Sequence, residues 1–177
     1  MKLLILDRDG VINFDSAHYI KHPDEWRPLP GSIEAIARLT QSGWRIAVAT
    51  NQSGIARGLF DMETLNAMHA KMHKAVTQAG GRIEAVFYCP DSADSDSPCR
   101  KPNPGMLLAI AERFNVSLQG TPAVGDGLRD LQAAHAVGGR PYLVLTGKGR
   151  KTRKHGGLPE GTIIFPDLAA VAMALLQ

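Results

Sequence analysis

Short apolar runs alternate along this chain with longer stretches of helical periodicity, and a polar residue stands at or near the end of several of the runs. Leu3–Leu6 (LLIL) is an apolar run closed by Asp7, the pattern of a strand buried on both faces. Across Gly31–Ser42, Ile33, Ile36, Ala37 and Leu39 recur at helical spacing, and Gly43 closes the segment. Arg45–Ala49 (RIAVA) predicts a second buried strand, ending at Thr50. Asp61 to Ala79 is helical in pattern, with Asp61 as N-cap and Gly80 as stop. Ala85–Tyr88 predicts a third strand, Cys89–Pro98 a polar loop, and Pro104–Phe114 a helix with a proline suited to its first turn. Ala123–Val124 ends a fourth strand, Leu128–Val137 is a helix and Tyr142–Leu145 a fifth strand. Thr162–Phe165 is a candidate sixth strand, and Leu168–Leu176 a closing helix.

Strands that alternate with helices predict an α/β fold, with a parallel sheet covered on both faces. Right-handed crossovers then gather the strand C-terminal ends on one edge, where ligands bind in open sheets. Asp7, Thr50 and Asp126 all fall at that edge. No internal repeat or linker interrupts the pattern, so residues 1–177 are expected to form a single domain. A domain of that length buries roughly 70% of the surface its unfolded chain exposes, enough to fold without disulfides or oligomerisation, and a monomer is expected. No apolar run reaches the roughly 18 residues of a membrane span. The opening MKLLILDRDG has only a short apolar run, met at once by charges, so it does not read as a secretory leader and the cytoplasm is expected. In a reducing compartment Cys89 and Cys99 are expected as free thiols.

The formal net charge is +3, with much of the excess in Lys148–Lys154 (KGRKTRK). That run reads as a solvated loop, or as a patch that attracts an anionic substrate. A nucleic-acid partner is not expected, because no aromatic residue is interleaved there to stack on bases.

Four clusters can carry chemistry. In Asp7-Arg8-Asp9-Gly10, two carboxylates two residues apart on an extended chain project to one side and repel; a hard divalent cation relieves this. The alternative is a plain strand-to-loop turn. Thr50-Asn51-Gln52-Ser53-Gly54 offers a hydroxyl and backbone N–H groups to phosphate oxygens, or is a polar turn. In Arg100-Lys101-Pro102, Lys101 can neutralise a phosphoryl group and Arg100 can fork onto a second phosphate, unless both are merely exposed bases before a helix. In Gly125-Asp126-Gly127-Leu128-Arg129-Asp130, Asp126 can complete a metal site and Asp130 can orient Lys101; either can equally be an acid favoured at a helix N-terminus.

Taken in order, these clusters resemble the four motifs of the haloacid dehalogenase superfamily. That resemblance implies a Rossmann-like parallel sheet ordered 3-2-1-4-5, with the first motif on the central strand. It implies Asp7 as nucleophile, Asp9 as general acid/base, and Thr50 and Lys101 as the phosphate-stabilising pair. It implies Mg²⁺ held by Asp7, the backbone carbonyl of Asp9, and Asp126. Asp9 is then expected to be protonated when substrate binds, favoured by neighbouring Asp7. The segments between Asp9 and Thr50, and between Thr50 and Lys101, are filled by predicted elements, so no cap domain is expected. LDRDGVIN, TNQSGIARG, FYCP, CRKPNPGML and VGDGLRDLQAA narrow the resemblance to the branch of sugar-bisphosphate and histidinol-phosphate phosphatases. This implies a small phosphorylated sugar as substrate: removal of the 7-phosphate of a heptose bisphosphate, towards nucleotide-activated heptose for lipopolysaccharide. Histidinol phosphate or another sugar phosphate is the alternative within the fold, and a phosphate-binding module without turnover the alternative outside catalysis.

In that branch the loop after the first motif and the Arg before the third-motif Lys help to hold substrate; here those are Asp15–Tyr19, with Asp15, His18 and Tyr19, and Arg100, and Asn51, Gln52 and Ser53 of the second cluster are expected to join them on the phosphate. Related enzymes often carry a zinc loop, C-x-H…C-x-C. Here Cys89 and Cys99 match its outer positions, but Asp91 and Ser97 stand at the inner ones, a poor ligand set, so zinc is not expected. His69 and His73, four apart on a predicted helix, read as packing or solvated residues, and Trp26 and Trp44 as packing residues.

Overall fold

The computed structural model describes residues 1–177. Its centre is a six-stranded parallel sheet ordered β3-β2-β1-β4-β5-β6. The strands are β1 (Lys2–Leu6), β2 (Trp44–Asn51), β3 (Ala85–Cys89), β4 (Pro122–Gly125), β5 (Arg140–Val144) and β6 (Ile163–Phe165). Between them run α1 (Ser32–Gln41), α2 (Met62–Gln78), α3 (Gly105–Phe114), α4 (Leu128–Ala136) and α5 (Gly149–His155), and α6 (Leu168–Leu175) closes the chain. The expected 3-2-1-4-5 order is present, extended at one edge by the candidate sixth strand. Between the first two motifs lie a loop, a short 3-10 turn at Pro23–Glu25, α1 and β2; between the second and third lie α2, β3 and a loop. Neither segment holds a cap domain.

The alternation of side chains along each strand sorts the core into two layers. Leu4, Leu6, Ile46, Val48, Val124 and Val144 face one side and pack against Ile36 and Leu39 of α1, Leu65 and Met68 of α2, and Leu168 of α6. Leu3, Ile5, Ala47, Ala49 and Ala123 face the other and meet Met106 and Ile110 of α3 and Ala133 of α4. Both faces of β1 are therefore dry, which is why its apolar run has no polar alternation. Asp61 caps α2 as expected, its Oδ1 accepting from the Thr64 N–H at 2.8 Å. Trp26 is fully buried and Trp44 is half-buried against the core, as packing residues.

Register sets the level of the site. Leu6 pairs with Val48 on one side and Val124 on the other. Asp7 therefore emerges beside Ala49 and Gly125, and Thr50 and Asp126 follow one residue later.

The basic run is not the loop expected of it: Gly149–His155 is helix α5. With no apolar periodicity in KGRKTRK, the sequence carries no helical signal there. The first turn is instead set by tertiary contact. Gly149 presses against the carbonyl of Val144 where any side chain would collide, and Thr152 Oγ1 donates to the Asp126 carbonyl at 2.7 Å.

Candidate active site

The chain leaves β1 in a tight turn, where the N–H groups of Val11, Ile12 and Asn13 all point at the Arg8 carbonyl. Gly10 has φ of 84°, and a side chain there would overlap the Asp126 carboxylate. Glycine thus meets both demands of this position, the left-handed backbone and the close approach. At the end of β4, Gly125 leaves room for Asp130 to lie against the strand. Asp130 Oδ2 accepts from the Gly127 N–H at 3.0 Å, and Asp126 Oδ2 from the Lys148 N–H at 2.9 Å.

These turns bring the four motifs together. The Lys101 ammonium, 4% exposed, donates to Asp7 Oδ1 at 3.1 Å, to Asp130 Oδ1 at 2.7 Å and to the Ala49 carbonyl at 2.7 Å. Asn51 pins the Lys101 backbone from both ends of its amide, each bond 3.1 Å. Carboxylate oxygens of Asp7, Asp126 and Asp130 lie within 4.8 Å of one another. One ammonium cannot satisfy three desolvated carboxylates. Burial, then Asp130, push the Asp7 carboxyl up to about 7 despite Lys101. Burial, then Asp130 and Asp7, push Asp126 up to about 8. Burial alone would lower the Lys101 pKa, but Asp130 and Asp7 outweigh it and raise it. An acidic, oxygen-only donor set with surplus negative charge fits a hard cation such as Mg²⁺.

The Asp9 side chain is held by three neighbours. Its Oδ1 accepts from Arg8 Nε and Asn13 Nδ2, each at 2.9 Å, and its Oδ2 from Gln52 Nε2 at 3.4 Å. Burial pulls its pKa up, but the Arg8 guanidinium and these hydrogen bonds together hold it below the usual carboxylate value. Without substrate, these contacts favour the carboxylate form of Asp9; the expected proton belongs to the substrate-bound state.

Above the acids opens a cavity of about 300 Å³ lined by Thr50, Asn51, Ser53, Asp15 and Tyr19, among others. Arg57, Arg100, Arg129 and Lys148 stand around it. The Arg100 pKa is pushed down by burial and then by the neighbouring Arg129, with Arg57 adding to the effect. None of these three guanidiniums pairs with a carboxylate. Arg57 sits over the Tyr19 ring, 5.8 Å from its centroid. Lys148 Nζ lies 3.5 Å from Asp15 Oδ2 across the opening.

Residues 1–138 match the model of the haloacid dehalogenase-like hydrolase family. The chain belongs to that family. A relative from Bordetella bronchiseptica named D-glycero-beta-D-manno-heptose-1,7-bisphosphate 7-phosphatase is 62% identical over 177 residues, 100% of this chain and 99% of the relative. The crystal structure of the D,D-heptose 1,7-bisphosphate phosphatase of that organism, complexed with magnesium and phosphate, superposes with a TM-score of 0.99 at 62% identity, covering 100% of this chain and 99% of that one. The enzyme of the same description from Burkholderia thailandensis is 56% identical, with a TM-score of 0.81 over 100% of this chain and 99% of that one.

Within this haloacid dehalogenase-like hydrolase, two expected substrate contacts lie elsewhere. His18 is exposed and is not among the residues lining the cavity. Gln52 is buried, 4% exposed, and turns inward to Thr50 Oγ1 at 2.9 Å and to the Arg8–Asp9 pair, away from the cavity. Asn51 and Ser53 line the cavity, while Gln52, just past the end of β2, is drawn inward by these hydrogen bonds to Thr50, Arg8 and Asp9. Sequence reasoning missed Arg57 and Arg129. The signal was present, since Arg129 follows the fourth-motif Gly-Asp-Gly-Leu and Arg57 ends the TNQSGIAR stretch. The basic run also contributes only its first residue, Lys148, to the cavity.

Cys89 and Cys99 are not free thiols; they form a disulfide with Cα atoms 5.7 Å apart. The loop after β3 returns on itself, with the Gly105 N–H donating to Pro98 O and Asn103 Nδ2 to Ser97 O, both at 2.8 Å. That closure sets Cys99 beside Cys89 at a separation suited to a disulfide. Asp91 and Ser97 complete the cluster through a mutual hydrogen bond.

Proposed function

We propose that this hydrolase removes the 7-phosphate of a heptose 1,7-bisphosphate by way of an aspartyl-phosphate on Asp7. The product keeps its 1-phosphate, the group a nucleotidyl transfer would consume. Asp7, Asp126 and the backbone carbonyl of Asp9 are the proposed holders of Mg²⁺. When bound, that cation supplies positive charge that offsets the negative charge of the phosphoryl group as it is transferred.

The chain's own groups supply the rest. An Asp7 carboxylate oxygen attacks phosphorus in line, and the bond from phosphorus to the sugar oxygen breaks. Lys101 and Thr50 hold the phosphoryl oxygens as charge spreads over them. Asp9 gives its proton to the leaving oxygen. It then takes one from the water that adds to phosphorus, which frees Asp7 and inorganic phosphate. The carboxylate form of Asp9 suits the second step. For the first it must gain a proton, which a phosphate dianion bound beside it favours by repulsion.

The observation that carries the bisphosphate reading is the set of three unpaired guanidiniums, Arg57, Arg100 and Arg129, around the cavity. Like charges gathered without carboxylate partners suit a second anion, and Arg binds phosphate through its planar fork. Arg100→Ala and Arg129→Ala are expected to raise KM for the bisphosphate about 10-fold or more, the scale of a lost charge-assisted hydrogen bond, and to change KM for a monophosphate much less. Steady-state kinetics on heptose bisphosphate, heptose 7-phosphate and histidinol phosphate test this. Equal rises for all three would place these arginines outside the second-anion role.

The acid cluster makes stability depend on pH. Without metal, burial and repulsion from Asp130 push Asp7 up to about 7 and Asp126 up to about 8, from the ordinary 3.8. The native state therefore binds more protons than the unfolded chain between those limits, and stability falls as pH rises from about 4 to about 8. Thermal unfolding in EDTA is expected to show a falling Tm over this window. Added Mg²⁺ is expected to raise Tm most at pH 8 and least at pH 5. A Tm in EDTA that is flat or rises from pH 5 to 8 contradicts the cluster's charge assignment.

A further inference from the structure

The reaction proposed above uses Asp9 but leaves unexplained what is built behind it. Arg8 is fully buried, 0% exposed, between two residues of the proposed metal site. Removing a guanidinium from water is costly, and replacing a buried ion pair by apolar groups is often neutral or stabilising. Stability therefore does not account for this arginine. Its contacts do suggest a role. Nε and Nη2 of Arg8 reach Asp9 Oδ1 at 2.9 and 2.8 Å. Nη1 lies 3.2 Å from Nε2 of His69, which comes from the middle of α2 and is 8% exposed. Asn13 Nδ2 donates to the same Asp9 oxygen at 2.9 Å.

Arginine only donates, so His69 Nε2 must accept, and the ring is then a neutral tautomer with its proton on Nδ1. Burial and the Arg8 charge fit this, since together they push the His69 pKa down to about 4. His69 thus fixes the far end of the guanidinium, and the guanidinium fixes Asp9. His69 is thus a packed residue, one of the two expectations for it, with its ring committed to Arg8.

We infer that Arg8, anchored by the imidazole of His69, is a positioning residue that sets the direction of the Asp9 carboxyl towards the leaving oxygen and the attacking water. The inference rests on the acid/base role proposed for Asp9. The chemistry it acts on is proton transfer to an alkoxide, so it concerns substrates whose leaving group needs a proton. It does not concern an aryl phosphate, whose phenolate leaves unaided.

The test compares two single-turnover rates in the Mg²⁺-loaded enzyme: release of the sugar from heptose 1,7-bisphosphate, and the p-nitrophenolate burst from p-nitrophenyl phosphate. His69→Leu keeps bulk but removes the acceptor. It is expected to slow the sugar reaction about 10- to 100-fold, the scale of a misplaced general acid, with KM within about twofold and the aryl burst within about twofold. His69→Gln, which restores an acceptor oxygen, is expected to recover most of the loss. Should His69→Leu fail to fold, Arg8→Lys keeps the charge, loses the fork, and is expected to give the same split. Equal slowing of both substrates, or His69→Gln no better than His69→Leu, would overturn the inference. Asp9→Asn separates it from the reading beneath it. A slow sugar reaction in Asp9→Asn with equal slowing in His69→Leu removes only the positioning role. Normal sugar turnover in Asp9→Asn removes the acid/base role and this inference together.

Discussion

Asp7→Asn is expected to lower kcat about 10,000-fold or more, the scale on which deleting a nucleophile acts in enzymes that form a covalent intermediate. The amide keeps the shape of the carboxylate but cannot attack phosphorus. The fold is expected to persist, because Asp7 is one of three mutually repelling acids rather than a structural anchor. Its carboxyl is pushed up to about 7 by burial and by Asp130. Above that pH the ionised group opposes folding, so in EDTA at pH 8 the variant is expected to unfold at the same temperature as the parent or higher. Mg²⁺-dependent phosphate release and a melting curve check both halves. A variant that turns over near the parent rate would remove Asp7 from the nucleophile role.

Lys101→Met is expected to damage both activity and stability. The ammonium contacts two carboxylates and the Ala49 carbonyl from a position that is only 4% exposed. Methionine fills a similar volume without charge. Asp7, Asp126 and Asp130 would then face one another with no cation from the chain, and breaking a buried ion pair in this way costs about 3–5 kcal/mol. The loss is expected to be larger at pH 8 than at pH 5, where protonation of Asp7 and Asp126 relieves the repulsion. Catalysis loses a positive charge aimed at the phosphoryl oxygens, a change worth about 100- to 1,000-fold in kcat. Denaturant unfolding at the two pH values checks the first effect, and kcat with saturating Mg²⁺ the second. Equal stability of parent and variant at pH 8 would mean that Lys101 does not compensate the acids.

The contrast between these residues and Asp9 shows where reading the chain succeeds. Asp7, Thr50 and Asp126 stand at the ends of apolar runs, and a run's end is visible locally. Once the strands are parallel, their ends share an edge, so the residues converge without any further information. Lys101 has no such strand to mark it. It was legible only through the order of the four clusters and their likeness to a known superfamily. For Asp9 the position in the chain was legible, but the groups that set its charge in the free enzyme were not. Proximity to Asp7 suggested a proton, whereas the decisive neighbours, Arg8 folded back onto it and Gln52 arriving from 43 residues away, are arranged only in the folded chain.

Chain order and hydrophobic period alone determined five strands and a candidate sixth, the helices that bury an apolar stripe and the edge on which chemistry gathers; the central place of the first motif came from the superfamily resemblance. The strands, the helices and that edge follow from burial of apolar side chains at a fixed period, which each segment carries within itself. The tertiary structure alone decided that α5 is helical, that Cys89 bonds to Cys99, that Gln52 turns inward, that His69 anchors Arg8 across 61 residues of sequence, and that Arg57 and Arg129 join Arg100 around one cavity. These are decided by hydrogen bonds and charges between distant segments. Their energy depends on separations of a few ångströms that no local pattern encodes.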